Sequence, residues 1–490
     1  MAVDFEIVVA GAGDFPAVIW PDLNGFGMVG LGEDQLAEYR TNFDDCRLVG
    51  AQEGGEWVGT LGHYPFELTV PGGAAVPVAG LSWASVLPTH RRRGILRALM
   101  TEALDEADSR GLPAAVLLAS EAAIYQRFGF GVATRHVSFR FDPRHAELLD
   151  QVEAGGGEGG GPSAGRVPGG LRLVGEPDVA VALAAQVWER YRPTRAGLTT
   201  RRPWTWEHYR RDPEYDRDGY SGWVWAFHFD GDGAADGYAL YRMKEEEHHG
   251  QPAGKLWVRE LVSPSADVEA ELFGFVCGID LVRTVELPFR PVDDHLPWRL
   301  RDRRELVVAE TGDYLWLRVL DVVATLTARH YGAVAELVLE VGDPFRPATA
   351  GRYLLRTGPR EPECERLTAP SAAPGGYESL TRSSVDVRLD VAALGSLVLG
   401  TVSPSVLAAA GRLEAAPEVL ARHGLRPKRH FGQNFLLDRH LAERIAEQAA
   451  PDGALVVEIG AGLGALTRPL LERARTVVAI ERDRDLVPIL

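Results

Sequence analysis

A glycine-rich stretch at residues 153–170 constrains this chain more than any other part of its sequence. It reads EAGGGEGGGPSAGRVPGG and interrupts the apolar periodicity found on both sides. Gly, Ser and Pro at this density form flexible linkers, because glycine loses much conformational entropy when it is fixed in a helix or strand. The chain has 490 residues, more than one hydrophobic core usually serves. We therefore predict a flexible linker at 153–170 with separate domains on its two sides.

Hydrophobic periodicity divides the rest of the chain into four segments. Residues 1–152 alternate strand-like and amphipathic stretches, which predicts a mixed α/β domain; residues 171–290 repeat that rhythm, with a helix predicted over 266–285. Strands precede helices in residues 291–420, as in α+β domains. The pattern breaks again before residues 421–490, which form the last segment. The predicted fold class is α/β and α+β multidomain.

Composition limits the classes of function. The net charge of −17 repels nucleic acid phosphates and attracts cationic small molecules, so we expect amine substrates and no RNA partner. No apolar run approaches the ~20 residues of a membrane helix, and the N-terminus lacks the features of a secretory signal, which predicts a cytoplasmic protein without membrane contact. Cys46, Cys277 and Cys364 lie far apart in the sequence and suggest neither a disulfide framework nor a metal site.

Residues 78–107 carry the strongest chemical signal. They read VAGLSWASVLPTHRRRGILRALMTEALDEA, in which an apolar strand ends between Val86 and Pro88, an arginine-rich turn follows, and an amphipathic helix begins near Gly94. The free amides and positive dipole end of such a helix bind anions, and a glycine lets a phosphate approach the backbone. The pattern predicts a pyrophosphate site. Taken alone, three arginines before a helix more often form a solvated surface than a phosphate site.

The wider pattern around this turn resembles a known family. Val-x-Pro-x-x-Arg-Arg-x-Gly-Ile-Leu after a strand resembles the acetyl-CoA loop of GNAT acetyltransferases, and Pro-Thr-His-Arg-Arg-Arg-Gly resembles the Eis (enhanced intracellular survival) type, over roughly residues 1–417. The resemblance implies acetyl-CoA as cofactor. It implies that Ala84, Ser85 and Val86 pair with the pantetheine arm. The residues it implies at the pyrophosphate are Arg92, Arg93, Gly94, Ile95, Leu96 and Arg97.

A second motif, SEAAIYQRFGFGVAT at residues 120–134, follows the apolar strand AAVLLAS. When an amine attacks the acetyl thioester, the departing CoA thiolate needs a proton, which a tyrosine hydroxyl can supply as general acid. By resemblance, Tyr125 is this catalytic tyrosine, and Ser120 and Glu121 are further acetyl-CoA contacts. An amphipathic helix can also bury a tyrosine simply as part of the core, which is the structural alternative.

The resemblance also implies the domain order. Residues 1–152 would be the catalytic GNAT domain, 171–290 a second, degenerate GNAT domain that lacks the Arg-Arg-x-Gly turn, and 291–420 a sterol-carrier-like domain. Members of the family form hexamers, so a homo-oligomer is expected.

The general base is less well defined by the resemblance. Eis proteins use a free C-terminal carboxylate as the base, whereas here unrelated sequence replaces that terminal segment. A water chain or a side-chain carboxylate such as Glu53 are the alternatives, and weak activity, with the protein acting as an oligomeric scaffold, is a third interpretation.

Residues 421–490 predict the start of a doubly wound sheet. A glycine turn beginning at Gly460 follows a strand, and Glu481 ends the next strand, a pattern that binds NAD or S-adenosylmethionine. Phe-Gly-Gln-Asn-Phe-Leu before it resembles ribosomal RNA adenine dimethyltransferases, which implies S-adenosylmethionine contacts at Asn434, Leu436, Gly460 and Glu481. The resemblance covers only the first part of such an enzyme and lacks its catalytic motif, so we do not expect methyl transfer.

Together these features predict an acetyl-CoA-dependent N-acetyltransferase. Its acceptor would be a primary amine of a cationic substrate of the aminoglycoside, polyamine or lysine type, with Tyr125 as general acid and no metal. The alternative from another class is a methyltransferase-related fusion that binds S-adenosylmethionine.

Overall fold

The computed structural model describes residues 5–28, 30–149, 169–358, 361–367, 385–415, 446–447, 454–459, 467–471 and 473–480. Residues 153–168 of the predicted linker lie outside the described residues. The chain forms two compact units, one of residues 1–383 and 389–403, the other of residues 384–388 and 404–490.

The helices and strands are numbered in chain order. The helices are α1 (Trp20–Gly25), α2 (Glu33–Asp44), α3 (Ile95–Ser109), α4 (Ala122–Tyr125), α5 (Pro177–Tyr191), α6 (Pro203–Arg211), α7 (Ala266–Cys277), α8 (Val322–Thr327), α9 (Val391–Val398), α10 (Pro404–Ala409) and α11 (Thr467–Leu471). The strands are β1 (Glu6–Val9), β2 (Arg47–Glu53), β3 (Glu56–Thr69), β4 (Ala75–Val86), β5 (Ala114–Leu118), β6 (Gly131–Val132), β7 (Arg135–Phe141), β8 (Gly170–Leu173), β9 (Val224–Phe229), β10 (Ala235–Lys244), β11 (Glu247–His248), β12 (Gln251–Pro252), β13 (Gly254–Val262), β14 (Val282–Pro291), β15 (Val307–Asp313), β16 (Leu315–Val319), β17 (Ala335–Gly342), β18 (Gly351–Thr357), β19 (Glu363–Leu367), β20 (Val387–Asp390), β21 (Leu413–Ala415), β22 (Leu455–Ile459) and β23 (Thr476–Ile480).

The first sheet has seven strands in the order β1-β2-β3-β4-β5-β16-β6. Its neighbours are antiparallel except β4 and β5, which run parallel because α3 connects them as a crossover. The apolar face of α3 recurs with helical spacing and packs against β2, β3 and β4. Its buried residues are Ile95, Leu99, Met100, Ala103, Leu104 and Ala107.

The second sheet also has seven strands, in the order β15-β7-β14-β13-β10-β9-β8. Strands β13 and β14 are its parallel pair, connected by α7. It therefore repeats the strand, helix and strand arrangement of the first sheet, as the sequence rhythm predicted. Helix α7 is shorter than the helix predicted over 266–285, because it ends at Cys277 and residues 282–291 continue as β14.

The two large sheets exchange strands. Strand β7 precedes the predicted linker but pairs with β14 and β15 of the second sheet. Strand β16 follows the second sheet along the chain but pairs with β5 and β6 of the first. The predicted domain bounds at 152 and 290 therefore mark breaks in sequence periodicity, and the hydrogen-bonded sheets extend across both of them.

A third, antiparallel sheet includes β17, β18 and β19. Helix α9 packs on β16 and β6. The Arg329 guanidinium, just after α8, donates to the carbonyls of Leu397 and Val398 at the end of α9, at 2.8 and 2.7 Å. Mixed sheets covered by helices in this order confirm the predicted α/β and α+β fold class.

The second unit contains the parallel pair β22 and β23, with α11 between them along the chain. A parallel pair joined through a helix is the first step of a doubly wound sheet. The predicted cofactor residues Asn434, Leu436, Gly460 and Glu481 lie outside the described residues. Among the described residues, no helix combines the length and the apolar character that crossing a lipid bilayer requires.

Candidate active site

The candidate site begins where β4 and β5 separate. Their backbone pairs join residues 78–80 to 114–116 only. Residues 81–86 continue β4, bonded on the other side to β3, and no described strand pairs with their free edge. An extended ligand can bind such an edge through backbone hydrogen bonds. The residues predicted for the pantetheine arm, Ala84, Ser85 and Val86, all lie on this stretch.

Helix α1 covers the end of β4. The Ser85 hydroxyl donates to the carbonyl of Pro21 at 2.9 Å, and both groups are buried. The side chain of Ser85 is thus used to hold α1, which leaves only its backbone for a ligand.

The arginine turn leads directly into α3. Arg92 and Gly94 have φ of +64° and +88°, and Gly94 is the N-cap of the helix. The first intrahelical bond is donated by the amide of Ala98 to the carbonyl of Gly94, so the amides of residues 95–97 have no acceptor within α3. A hollow of about 410 Å³ lies here, lined in part by Arg93, Gly94 and Arg97. The predicted pyrophosphate residues are therefore together at the positive end of the helix dipole.

Charges around this turn are partly compensated. The Arg93 guanidinium donates two hydrogen bonds to Glu53, at 2.8 and 2.5 Å, and His90 lies 2.8 Å from the same carboxylate. The pKa of Glu53 lies below its ordinary value, mainly because of the hydrogen bonds from Arg93. Glu53 is therefore a poor base, and the structure does not favour it for that role. Arg92 forms no ion pair within the described part of the chain.

The corresponding helix of the second sheet, α7, offers no similar site. The side chain of its N-cap, Ser265, accepts a hydrogen bond from the amide of Val268, and Asp267 and Glu269 occupy its first turn. Acidic side chains at a helix N-terminus repel a phosphate. The described start of α7 therefore differs in charge from that of α3, where the phosphate site is predicted.

Tyr125 ends α4, after strand β5. Its side chain is buried in the core of the first sheet and its ring meets Phe130 edge to face, with centroids 6.3 Å apart. Burial raises the pKa of its hydroxyl, a side-chain hydrogen bond with Ser120 opposes that shift, and the carboxylates of Asp22 and Glu121 add to it. The ring of Tyr125 is thus part of the core, while its hydroxyl is protonated at neutral pH and lies near Asp22 and Glu121.

A cluster of acids surrounds Tyr39 of α2. Burial raises the pKa of Tyr39, and Asp22, Glu38 and Asp216 raise it further. His208 bridges two of these acids, with Nδ1 2.5 Å from Glu38 and Nε2 3.1 Å from Asp216. The two segments that meet here are about 170 residues apart, so no local spacing could have revealed the cluster.

An open β4 edge, free amides at a helix N-terminus and a protonated tyrosine after the neighbouring strand are the features expected of an acetyltransferase of the GNAT class. Family models for the acetyltransferase (GNAT) domain match residues 13–133 and 197–319. A sterol carrier protein domain matches residues 322–425, and a ribosomal RNA adenine dimethylase model matches residues 424–490.

Known proteins resemble the chain over most of its length. An uncharacterised N-acetyltransferase of Streptomyces avermitilis is 35% identical over 403 residues, 81% of this chain and 90% of that protein. N-acetyltransferase Eis of Mycobacterium tuberculosis is 34% identical over 403 residues, 80% of this chain and 89% of that protein. The crystal structure of Eis1 from Mycobacterium abscessus has a TM-score of 0.68 at 30% identity and covers 88% of this chain and 100% of its own. The chain belongs to the Eis family of GNAT N-acetyltransferases.

This membership confirms the predicted architecture of two GNAT domains, a sterol-carrier-like domain and a fragment related to adenine dimethyltransferases. The protein is an N-acetyltransferase, and acetyl transfer from acetyl-CoA is the general reaction of its class.

Gly94 gives a direct test of the anion site. We expect Gly94→Ala to destabilise the fold by about 1–2 kcal/mol through its positive φ, and to weaken CoA binding by about tenfold or more, because the new methyl group obstructs the phosphate. An added Cβ would meet no described atom within 4 Å, so no clash contributes. Isothermal titration with CoA and thermal unfolding measure the two effects.

Gly111→Ala is the matched control. Gly111 also has positive φ, +71°, with open space around it, but it follows the other end of α3. It should lose similar stability and keep CoA affinity. Equal affinities for both variants would exclude the helix N-terminus as the phosphate site.

Proposed function

We propose that this protein transfers the acetyl group of acetyl-CoA to a primary amine of a polycationic substrate of the aminoglycoside, polyamine or lysine type. The observation that supports the proposal most strongly is the open edge of β4. This edge leads directly into the turn at Gly94, and Tyr125 follows the neighbouring strand, β5. No second function is favoured by a comparable observation.

In this proposal the backbone of Ala84, Ser85 and Val86 holds the pantetheine arm. Ser120 and Glu121 contact the cofactor near Tyr125. The pyrophosphate is held by Arg92, Arg93, Gly94, Ile95, Leu96 and Arg97. Most of these contacts come from backbone amides, so binding depends on the geometry of the turn as much as on its charge.

Tyr125 acts as general acid in the proposed reaction. The amine nitrogen attacks the thioester carbonyl, the C–N bond forms and the C–S bond breaks, and the tyrosine hydroxyl gives its proton to the sulfur. The raised pKa of Tyr125, caused mainly by burial, keeps that proton in place at neutral pH until the thiolate leaves.

The acids around Tyr39 account for the preference for polycations. Asp22 and Glu38 come from the first GNAT domain and Asp216 from the second, and all three carboxylates act on one tyrosine. A substrate with several ammonium groups can pair with more than one of them, while a neutral amine cannot. The net charge of −17 raises the local concentration of such substrates.

Asp216→Asn tests the acceptor class. We expect it to raise KM for a linear triamine about fivefold, since one partly exposed ion pair contributes about 1 kcal/mol, and to leave KM for an uncharged aromatic amine unchanged. Asp232→Asn, which removes an exposed carboxylate in the β9–β10 hairpin, is the control. Equal changes for both acceptors would contradict recognition of polycations by this cluster.

A further inference from the structure

Asp22 is a buried carboxylate without a described partner. It lies on α1 with 7% of its surface exposed, and no described residue donates a hydrogen bond to its carboxylate or forms an ion pair with it. A buried ionisable group without a partner is costly to the fold, and such groups concentrate at functional sites. By contrast, the neighbouring acid Glu38 is engaged by His208 and Tyr215.

The position of Asp22 is fixed relative to the cofactor edge. The adjacent residue, Pro21, accepts the hydrogen bond from Ser85, which is on the part of β4 that separates from β5. The Asp22 carboxylate acts electrostatically on Tyr125, after β5, and on Tyr39 of α2. Asp22 is therefore near both the strand proposed to hold the thioester arm and the tyrosine proposed to protonate its sulfur.

The charge state of Asp22 suits proton transfer near neutral pH. Burial alone raises its pKa to about 6, from an ordinary value near 4. The described titratable groups near it are Tyr125 and Tyr39, both neutral in this range. Glu121 also acts on Tyr125, and Glu38 and Asp216 act on Tyr39. Asp22 is thus ionised at pH 7 and is a stronger base than an exposed aspartate.

We propose that Asp22 is the general base, which removes a proton from the ammonium group of the acceptor before it attacks the thioester. This inference rests on the proposed acetyltransferase function and adds the group that the reaction requires beside Tyr125. A primary ammonium ion has no lone pair for attack, so a base in the cleft must accept one of its protons.

The protons balance as follows. The ammonium nitrogen loses two protons in becoming an amide nitrogen. Asp22 accepts the first and passes it to solvent. Tyr125 gives its own proton to the thiolate sulfur, which forms CoA-SH, and is reprotonated by the second proton from nitrogen. The thioester C–S bond breaks, the C–N bond forms, and no redox partner is needed.

The test is the pH profile of kcat/KM for a triamine with the full chain, with Asp22→Asn and with Asp22→Glu. We expect wild-type kcat/KM to fall below pH about 6 as Asp22 becomes protonated. Asp22→Asn should lower kcat about 100-fold at pH 7 and lose that acidic limb, with CoA affinity unchanged. Asp22→Glu should recover part of the rate and the limb. Asp232→Asn should behave as wild type.

Thermal unfolding gives a readout independent of activity. A carboxylate whose pKa is higher in the fold than in the unfolded chain destabilises the fold wherever it is charged, so the penalty is absent below pH about 4 and complete above pH about 6. The Tm of Asp22→Asn should therefore exceed that of wild type by a margin that grows over this interval.

The outcomes are separable. A wild-type chain that neither binds CoA nor releases thiol would overturn the proposed function. A wild-type chain that turns over, together with an Asp22→Asn variant that keeps its rate and its acidic limb, would overturn only the role of Asp22. Loss of rate without loss of the limb would assign Asp22 to substrate binding and also contradict the inference.

Discussion

Replacing Tyr125 by phenylalanine is expected to lower kcat for acetyl transfer by about 10²–10⁴-fold, the contribution typical of a positioned general acid. The ring stays in the core against Phe130, so the fold and the cofactor edge of β4 should be retained. What is lost is the hydroxyl proton, without which the CoA thiolate must leave unprotonated. Steady-state thiol release at saturating acetyl-CoA and acceptor measures the effect.

Tyr331→Phe is the matched control for this prediction. Its hydroxyl donates to the carbonyl of Leu326 at 2.9 Å, so the variant also loses one tyrosine hydrogen bond, but in a part of the chain with no proposed catalytic role. It should keep wild-type kcat, and both variants should bind CoA normally. If Tyr125→Phe kept its kcat as well, the tyrosine would be a core residue only.

The second large effect concerns a buried ion pair between Arg318 of β16 and Asp343, which follows β17. Both side chains are completely buried, with Nη2 and Oδ2 2.5 Å apart. Arg318 also donates to the carbonyl of Phe128, in the turn after Tyr125. Gly129 in that turn has φ of +83°, and a Cβ there would lie 1.7 Å from the Arg318 guanidinium, so only glycine allows this approach.

Asp343→Ala should destabilise the fold by about 3–5 kcal/mol, because it leaves the guanidinium buried without its counter-ion. Since Arg318 also holds the turn after Tyr125, kcat should fall at temperatures where the protein is still folded. Chemical denaturation followed by fluorescence, together with thiol release at 20 °C or below, measures both effects.

The double variant Arg318→Met with Asp343→Leu provides the comparison. Apolar side chains of similar size remove both charges together, so the loss of stability should be clearly smaller than for Asp343→Ala. A double variant as unstable as the single one would show that packing, and not the uncompensated charge, determines the effect.

The sequence predicted the central unit of the site well, for a physical reason. The end of β4 at Val86, the turn through Gly94 and the amphipathic α3 are specified by neighbouring residues, through strand propensity, turn chemistry and helical spacing. The predicted length of the second crossover helix, α7, was wrong. Gly278 ends α7, and the β-branched residues after it form β14, which pairs with β13 and β7.

The strand exchange and the acid cluster could not be predicted locally. Whether β7 and β16 join one sheet or the other depends on partners more than 100 residues away, which periodicity does not report. The burial of Asp22 and its proximity to Tyr125 likewise depend on how distant segments pack, which local spacing does not report.

The most direct test of the central claim is thiol release by the purified 490-residue chain with acetyl-CoA and a triamine, measured against reactions that lack either substrate. Our account predicts release that requires both substrates, saturates with each, and yields an N-acetylated product identified by mass spectrometry. Normal CoA binding with no acceptor-dependent release across triamine, aminoglycoside and lysine-peptide substrates would contradict it.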